Sequence, residues 1–393
     1  MGVVQDTLLA LTGDYGTAGL YGSLQRVFGM TSLLALPLCL IINAPFGKWS
    51  PTSSWLTVNG NLGWFVMELV APLSFISSAM SPVTTIRSST WPTWSIWRQS
   101  STPWLELFPH LTFQRFNQMW QSLPLARRVL FILFITHYIN RSIISSIRNP
   151  NRQRMSLLVP LFAILFNFSN GTLMGKFIEG GFTNLQDTRH QKDTWGIIPS
   201  TTSSLLGFEF DNKVVLFWFG IVLWFVGFLS NIVCDEMLYN LKKQHQPSSS
   251  LSKTNDNKQQ HGRYKIPRGF LYEYVSHPSY FVEWIEWTGY LIACLCLQPS
   301  PFETTLLTPS MFKQLLNSHL KISAQKGLTL KLLRGLPKHL KILTSWFLKP
   351  PSLFLWAEIS AMLPRAIRGH EWYQETFKQD WPKNRKIVIP FLF

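Results

Sequence analysis

The chain has 393 residues, 46% of them hydrophobic and only 14% charged, and a formal net charge of +16. A charged share this far below the roughly 25% of soluble domains excludes an ordinary soluble globule and indicates a membrane protein. The positive excess excludes little alone, but its Lys and Arg flank apolar stretches, which fits a membrane face and phosphate-bearing ligands and argues against nucleic acid as a partner.

The start, "MGVVQDTLLALTGDYG", has no basic region of a cleavable signal, and Asp6 stands where a myristoylation site needs Ser or Thr. A membrane-crossing helix needs about 20 mostly apolar residues. Seven stretches qualify as predicted spans: 27–45, 62–81, 127–144, 156–177, 213–234, 279–297 and 350–366. Residues 1–26 form an N-terminal segment ahead of a seven-helix domain over 27–393, so the expected fold is an all-α integral membrane protein. The fourth span is interrupted by "NFSNGTLMG" and the seventh by Glu358, which turns both toward protein rather than lipid. Cys39, Cys234, Cys294 and Cys296 lie in or beside apolar stretches, without metal-site spacing, and read as small core residues.

Three loops stand out by charge. Arg148, Arg152 and Arg154 follow span three; the stretch from Lys242 to Arg268 holds seven Lys/Arg against one Asp; Arg365, Arg368, Lys383, Arg385 and Lys386 follow span seven. In a seven-span protein all three fall on one side, which the positive-inside rule makes cytosolic, leaving the N-terminus lumenal. The basic stretch 298–349 would fall on the other side, and its Lys-and-Leu spacing suits an amphipathic helix lying in the membrane interface.

Ionisable groups inside spans are costly and mark function by default. Glu68 sits in "NGNLGWFVMELVAP" of span two. In "FITHYINRSIISSIRNP", His137, Tyr138 and Arg141 share a helical face. In "GFLSNIVCDEMLYNLKK", Asn231 and Asp235 lie one turn apart. In "HPSYFVEWIEWTGY", Glu283 stands three residues from both Tyr280 and Glu286, with His277 at the entrance. Glycine-rich phosphate loops, zinc motifs and nucleophile elbows are missing from the sequence, so any chemistry comes from scattered helix-borne groups.

Taken together, "NIVCDEMLYNLKK", "YKIPRGFLYEYVS", "EWIEWTGY" and the terminal "HEWYQETFKQDWPKNRKIVIPFLF" resemble the steroid 5α-reductase family, the 3-oxo-5α-steroid 4-dehydrogenases. Weaker echoes are "GWFVMELVAP", "HYINRSI" and "NGTLMG". The resemblance covers most of the chain beyond residue 58, apart from apparent insertions near 83–120 and 300–348. It implies a seven-helix membrane fold of the endoplasmic reticulum, acting as a monomer, that encloses NADPH and transfers hydride to the β-carbon of an enone in a steroid or other hydrophobic lipid. On matching positions Glu68 and Tyr138 would hold the substrate carbonyl. Asn231, Asp235, Tyr264, Lys265, Tyr274, Ser279, Glu283, Arg365, His370 and Tyr373 would surround the dinucleotide, and Arg148 joins them on charge. No metal is implied.

Hydride arrival at the β-carbon builds enolate charge on the carbonyl oxygen, where preorganised donors stabilise the transition state more than the ground state. Tyr138 donates as it stands; Glu68 donates only in its protonated form, which a low-dielectric surround favours. The chain departs from the family pattern at Met67, Lys265, Ser279 and Gly369, which bears on the steroid specificity more than on the reductase chemistry. Competing expectations are a very-long-chain enoyl-CoA or polyprenol reductase, an S-adenosylmethionine-dependent membrane methyltransferase on the strength of "HPSY", and a non-enzymatic scaffold.

Overall fold

The computed structural model describes residues 15–42, 56–81, 85–86, 112–149, 152–180, 212–244, 265–297 and 347–393. Tyr264, the centre of the 242–268 loop, most of the 83–120 stretch and nearly all of 298–349, with its expected amphipathic helix, lie outside the described residues.

Every predicted span is built as a helix. The long helices are α1 (Thr17–Ile41), α2 (Gly60–Ala79), α4 (Leu125–Ile139), α6 (Leu158–Glu179), α7 (Asn212–Lys243), α8 (Pro278–Leu295) and α9 (Pro350–Phe377). Two short ones join them: α3 (Phe113–Ser122), which hydropathy did not predict, and α5 (Ser145–Arg148). Among the described residues, five stretches are long and apolar enough to cross a membrane: Leu24–Ile41, Gly60–Ala79, Leu125–Arg148, Leu158–Glu179 and Asn212–Lys243. Helices α8 and α9 have the length but carry Glu283 and Glu286, and Glu358, Arg365 and Arg368. The protein is an all-α membrane protein.

Local chemistry sets the helix ends. Asn59 caps α2 by accepting from the backbone N–H groups of Asn61 and Leu62 at 2.9 and 3.1 Å. Gly180 closes α6 in the left-handed region, at φ 82°. Pro278 opens α8, where its missing N–H costs nothing. Between α4 and α5 the residues Asn140–Ile144 form a π-helical turn, a feature common at functional sites.

The bundle is assembled from two tight pairs. Helix α2 packs on α6, where a side chain at Gly171 would strike the Ala71 carbonyl and Ser74. Helix α7 packs on α8, with Gly227 against the backbone of Glu286. Such close backbone approach is how membrane helices associate where lipid supplies no hydrophobic drive. Helix α9 bridges to α1 and α8. The core between them is aromatic: Phe75, Phe134, Trp287, Tyr290 and Phe354 are fully or almost fully buried. Leu33, Leu34 and Leu38 of α1, Leu161, Phe162 and Leu165 of α6 and Phe219, Val222 and Val226 of α7 face outward, as lipid contact requires.

Strand pairing is minimal among the described residues. Strands β1 (Tyr15–Gly16) and β3 (Thr85–Ile86) form one antiparallel pair, and β2 (Thr57–Val58) and β4 (Met155–Ser156) another. The final residues add a short parallel contact. Lys386 N–H donates to Tyr274 O at 2.8 Å, Ser276 N–H to Lys386 O at 2.9 Å and His277 N–H to Ile387 O at 3.1 Å. Two sequence stretches more than a hundred residues apart are thus sewn together at one end of the bundle.

Candidate active site

The π turn after Tyr138 fixes the first cluster. Ser142 Oγ donates to Tyr138 O at 2.5 Å, and the widened turn carries Arg141 toward α7 and α8. Arg141 reaches Glu283 at 3.4 Å and Asp235 at 3.8 Å. Asn231 Nδ2 donates to Glu283 Oε2 at 3.2 Å and to Ser279 O at 3.4 Å. Tyr239 OH donates to Asp235 Oδ2 at 3.3 Å and bonds Ser145 Oγ at 2.9 Å. One turn deeper, His137 Nδ1 lies 2.6 Å from Glu286 Oε1, while Glu286 Oε2 has no hydrogen-bond partner among the described residues. The carboxylates of α8 are therefore tolerated in the bundle because α4 and α7 supply a guanidinium, an amide and an imidazole to meet them.

Tyr138 stands beside this network in an aromatic cage. Its ring lies 4.8 Å from Phe134, 5.0 Å from the His137 ring and 6.3 Å from Trp287, which in turn meets Phe354 of α9 at 4.6 Å. The Tyr138 oxygen accepts a hydrogen bond from Asn170 Nδ2 at 2.9 Å. Glu68 and Glu358 are both within electrostatic reach of Tyr138. Pro72, four residues past Glu68, has no N–H to offer the Glu68 carbonyl, and Asn167 Nδ2 donates to Met67 O at 2.7 Å. Helices α2, α4, α6 and α9 so bring an acid, a phenol, an amide and a second acid to one place.

A third group sits where the chain's last residues meet the start of α8. Ser276 Oγ lies 2.6 Å from His370 Nδ1, and Gln374 Nε2 lies 2.9 Å from His370 Nε2. Burial, and secondarily the Arg385 cation, hold His370 below its ordinary pKa. Tyr373 stacks on Trp381 at 4.9 Å, and a side chain at Gly369 would collide with the His277 ring, which explains the glycine there. Arg385 is only 3% exposed, lies 4.7 Å over Trp381, and its three guanidinium nitrogens have no hydrogen-bond partner among the described residues. A buried guanidinium without a hydrogen-bond partner among the described residues is chemically suited to an anion.

Several of the residues singled out from the sequence come together in the structure. Asn231, Ser279 and Glu283 meet directly, Asp235 joins through Arg141, and His370 and Tyr373 converge on Trp381. Arg365 is half-buried on α9, within the same helix as His370. Three others sit outside these clusters. Lys265 is exposed. Tyr274 is exposed and packs on Phe391 at 5.0 Å, whereas the neighbouring Tyr272 is buried and donates to Cys234 O at 3.4 Å. Arg148 forks onto Glu236, with Nη2 2.5 Å from Oε2.

Its neighbour Arg152 takes the inner position, 4.0 Å over Trp64 and bonded to Ser145 Oγ at 3.2 Å, and burial pulls its pKa down to about 10. Lys242, bonded to Asn149 Oδ1 at 3.1 Å, lies within its electrostatic reach. Arg152, Asn170, Glu358 and Arg385 went unassigned from sequence. The signals for three of them were the interrupted span "NFSNGTLMG", the acid in span seven and the cation inside the terminal motif.

The sequence model of 3-oxo-5-alpha-steroid 4-dehydrogenase matches residues 153–320 and 342–393. Similar proteins include an uncharacterized protein of Schizosaccharomyces pombe, 28% identical over 365 residues, covering 91% of this chain and 93% of that one. Rat 3-oxo-5-alpha-steroid 4-dehydrogenase 1 is 24% identical over 351 residues, 89% of this chain and 87% of its own. Steroid 5-alpha-reductase DET2 of Gossypium hirsutum is 24% identical over 371 residues, 92% of this chain and 94% of its own. The family model covers more than half of the chain, and the chain belongs to the 3-oxo-5-alpha-steroid 4-dehydrogenase family.

Proposed function

We propose that the protein reduces the carbon–carbon double bond conjugated to the carbonyl of a 3-oxo-Δ4-steroid or sterol-like enone, with NADPH as donor. As a member of its family it is an oxidoreductase acting on a CH–CH group. The observation that carries the reading is the buried Tyr138, its oxygen already accepting from Asn170, beside Glu68 in an aromatic cage.

The Arg385 guanidinium, with half-buried Arg152 and exposed Lys242, fits an anionic dinucleotide. Bound NADPH would supply the hydride for the β-carbon. Asn231, Asp235, Ser279, Glu283, Arg365, His370 and Tyr373 are the remaining candidates for holding it. The chain's own work is at the carbonyl. The Tyr138 hydroxyl donates to the oxygen on which negative charge builds, and neutral Glu68 donates beside it. Phe134, Trp287 and Phe354 exclude water, so both hydrogen bonds act in low dielectric.

The apolar outer faces and lipid substrate agree with a monomer in the endoplasmic reticulum membrane, its N-terminus lumenal and its basic loops cytosolic. Residues 27–393 act as one seven-helix unit behind the 1–26 segment. The test is purified protein with NADPH and a panel of enone sterols, enoyl-CoAs and polyprenols, read by cofactor oxidation and by a product heavier by two hydrogens. Reduction of the enone sterols is expected. Inertness toward all three classes would overturn the proposal, and turnover of enoyl-CoA alone would overturn the steroid assignment.

A further inference from the structure

A phenol that stabilises an oxyanion must present its proton to the ligand and not lose it to the protein. The hydroxyl proton rotates, so something has to bias it. Around Tyr138 the neighbours Phe134, His137 and Trp287 offer ring contacts. The one hydrogen bond that its hydroxyl makes among the described residues comes from Asn170 Nδ2, at 2.9 Å, between side chains that are 1% and 2% exposed.

We infer that Asn170 is a positioning residue for Tyr138: its amide N–H occupies the phenol oxygen's lone pair and turns the hydroxyl proton toward the ligand. A hydroxyl that accepts on one side keeps its donor for the other. An acceptor in place of this amide N–H would take the proton and leave the substrate oxygen facing lone pairs.

The amide is held rigidly enough to do this. Asn170 lies on the face of α6 that meets α2. One turn before it Asn167 Nδ2 is bonded to Met67 O at 2.7 Å, and two residues after it Thr172 O accepts from Ser78 Oγ at 2.7 Å. Gly171 admits α2 so closely that any side chain there would strike it. Asn170 therefore cannot follow Tyr138 if the phenol swings, and its position selects one rotamer. Asn170 Oδ1 has no hydrogen-bond partner among the described residues. A buried acceptor left unmade is costly, and a donor brought in on the ligand side would recover that cost.

This inference rests on the reading that Tyr138 donates to the substrate carbonyl, so Tyr138→Phe is run in parallel. The experiment uses the full chain with NADPH and whichever enone it reduces, and compares Asn170→Leu with the nearly isosteric Asn170→Asp. Asn170→Leu should lower kcat about tenfold, with KM and NADPH affinity little changed, a smaller loss than deleting the phenol donor itself. Asn170→Asp should acquire a pH dependence that wild type lacks. In acid its carboxyl still donates to the phenol, and turnover persists. As pH rises the carboxylate captures the phenol proton, and kcat falls below that of Asn170→Leu.

A purely structural role would lower the melting temperature of both variants without giving Asn170→Asp this profile. Wild-type kcat in Asn170→Leu, or a pH profile in Asn170→Asp no different from wild type, while Tyr138→Phe is impaired, would overturn the role of Asn170 and leave that of Tyr138 standing. Full activity in Tyr138→Phe would overturn both.

Discussion

His137 Nδ1 lies 2.6 Å from Glu286 Oε1, and this contact, with Tyr290 OH donating to Leu130 O at 3.2 Å, ties α4 to α8 across an aromatic core. Both partners are buried, and the other ring nitrogen of His137 comes no nearer than 4.0 Å to Glu283, so the Glu286 contact is the one the ring depends on. Glu286→Ala should cost roughly 2–4 kcal/mol, from an unsatisfied imidazole plus the cavity left behind. A thermal melt in detergent should show a clear drop for Glu286→Ala and a smaller one for Glu286→Gln, which keeps a partner for the ring. The paired change His137→Leu with Glu286→Leu should recover much of the loss. An unaltered melt for Glu286→Ala would show that the contact contributes nothing.

The carbonyl-binding pair gives a kinetic prediction. Tyr138→Phe and Glu68→Gln should each lower turnover by about a hundredfold, the usual effect of removing one oxyanion donor. NADPH affinity should stay near wild type, because among the described residues neither side chain hydrogen-bonds to Arg152, Lys242 or Arg385, although Glu68 lies within electrostatic reach of Arg152. Comparable losses in kcat and in cofactor affinity would move the residue out of this role.

Cofactor selection tests the orphan cation. NADPH should bind more tightly than NADH, and Arg385→Gln should weaken NADPH by about tenfold, the scale of one charge-assisted hydrogen bond. Lys265→Gln should weaken it less, and only at low ionic strength, since Lys265 is exposed and screened. Equal titrations of the two cofactors with wild-type protein would remove the ribose phosphate from this cationic surround.

His370 supplies a pH prediction. Its folded pKa lies below the ordinary histidine value because it is buried and faces Arg385. The neutral ring therefore contributes stability that is fully present above about pH 6.5 and lost as pH falls through the folded value. Thermal melts should decline on acidification below that point, and His370→Gln should flatten the decline. A melting temperature just as steep in His370→Gln would assign the acid sensitivity elsewhere.

The helices were readable because hydropathy over about 20 residues leaves little choice in a membrane. Neither α3 nor the π turn at Asn140–Ile144 was readable: α3 is short and polar-rich, and a π turn breaks the 3.6-residue period on which such reading depends. Polar residues in spans drew attention to Glu283, Asn231 and Tyr138, which the fold places in or beside one buried network. Their partners were less visible, since Asn170 and Arg385 acquire meaning only when α6 meets α4 and the tail meets α8. Arg148 and Arg152 are four residues apart in charge-rich sequence, and only the fold shows that Glu236 occupies the first while Trp64 and Ser145 hold the second. Tyr272 and Tyr274 differ in the same way, one inward and one outward.

The backbone ladder between Tyr274–His277 and Lys386–Ile387 makes the order of synthesis matter. A ribosome releases α1 through α8 before it has made the strand that completes this corner, so the bundle inserts with one wall of its site unbuilt. Ser276 and His277 then wait with free backbone N–H groups, and Arg385, Trp381 and the lock on His370 arrive last. A chain stopped a dozen residues early would still carry all its long helices and could settle in the membrane as a bundle. It would lack the corner where the orphan guanidinium sits, and cellular quality control would meet an inserted protein with no working pocket.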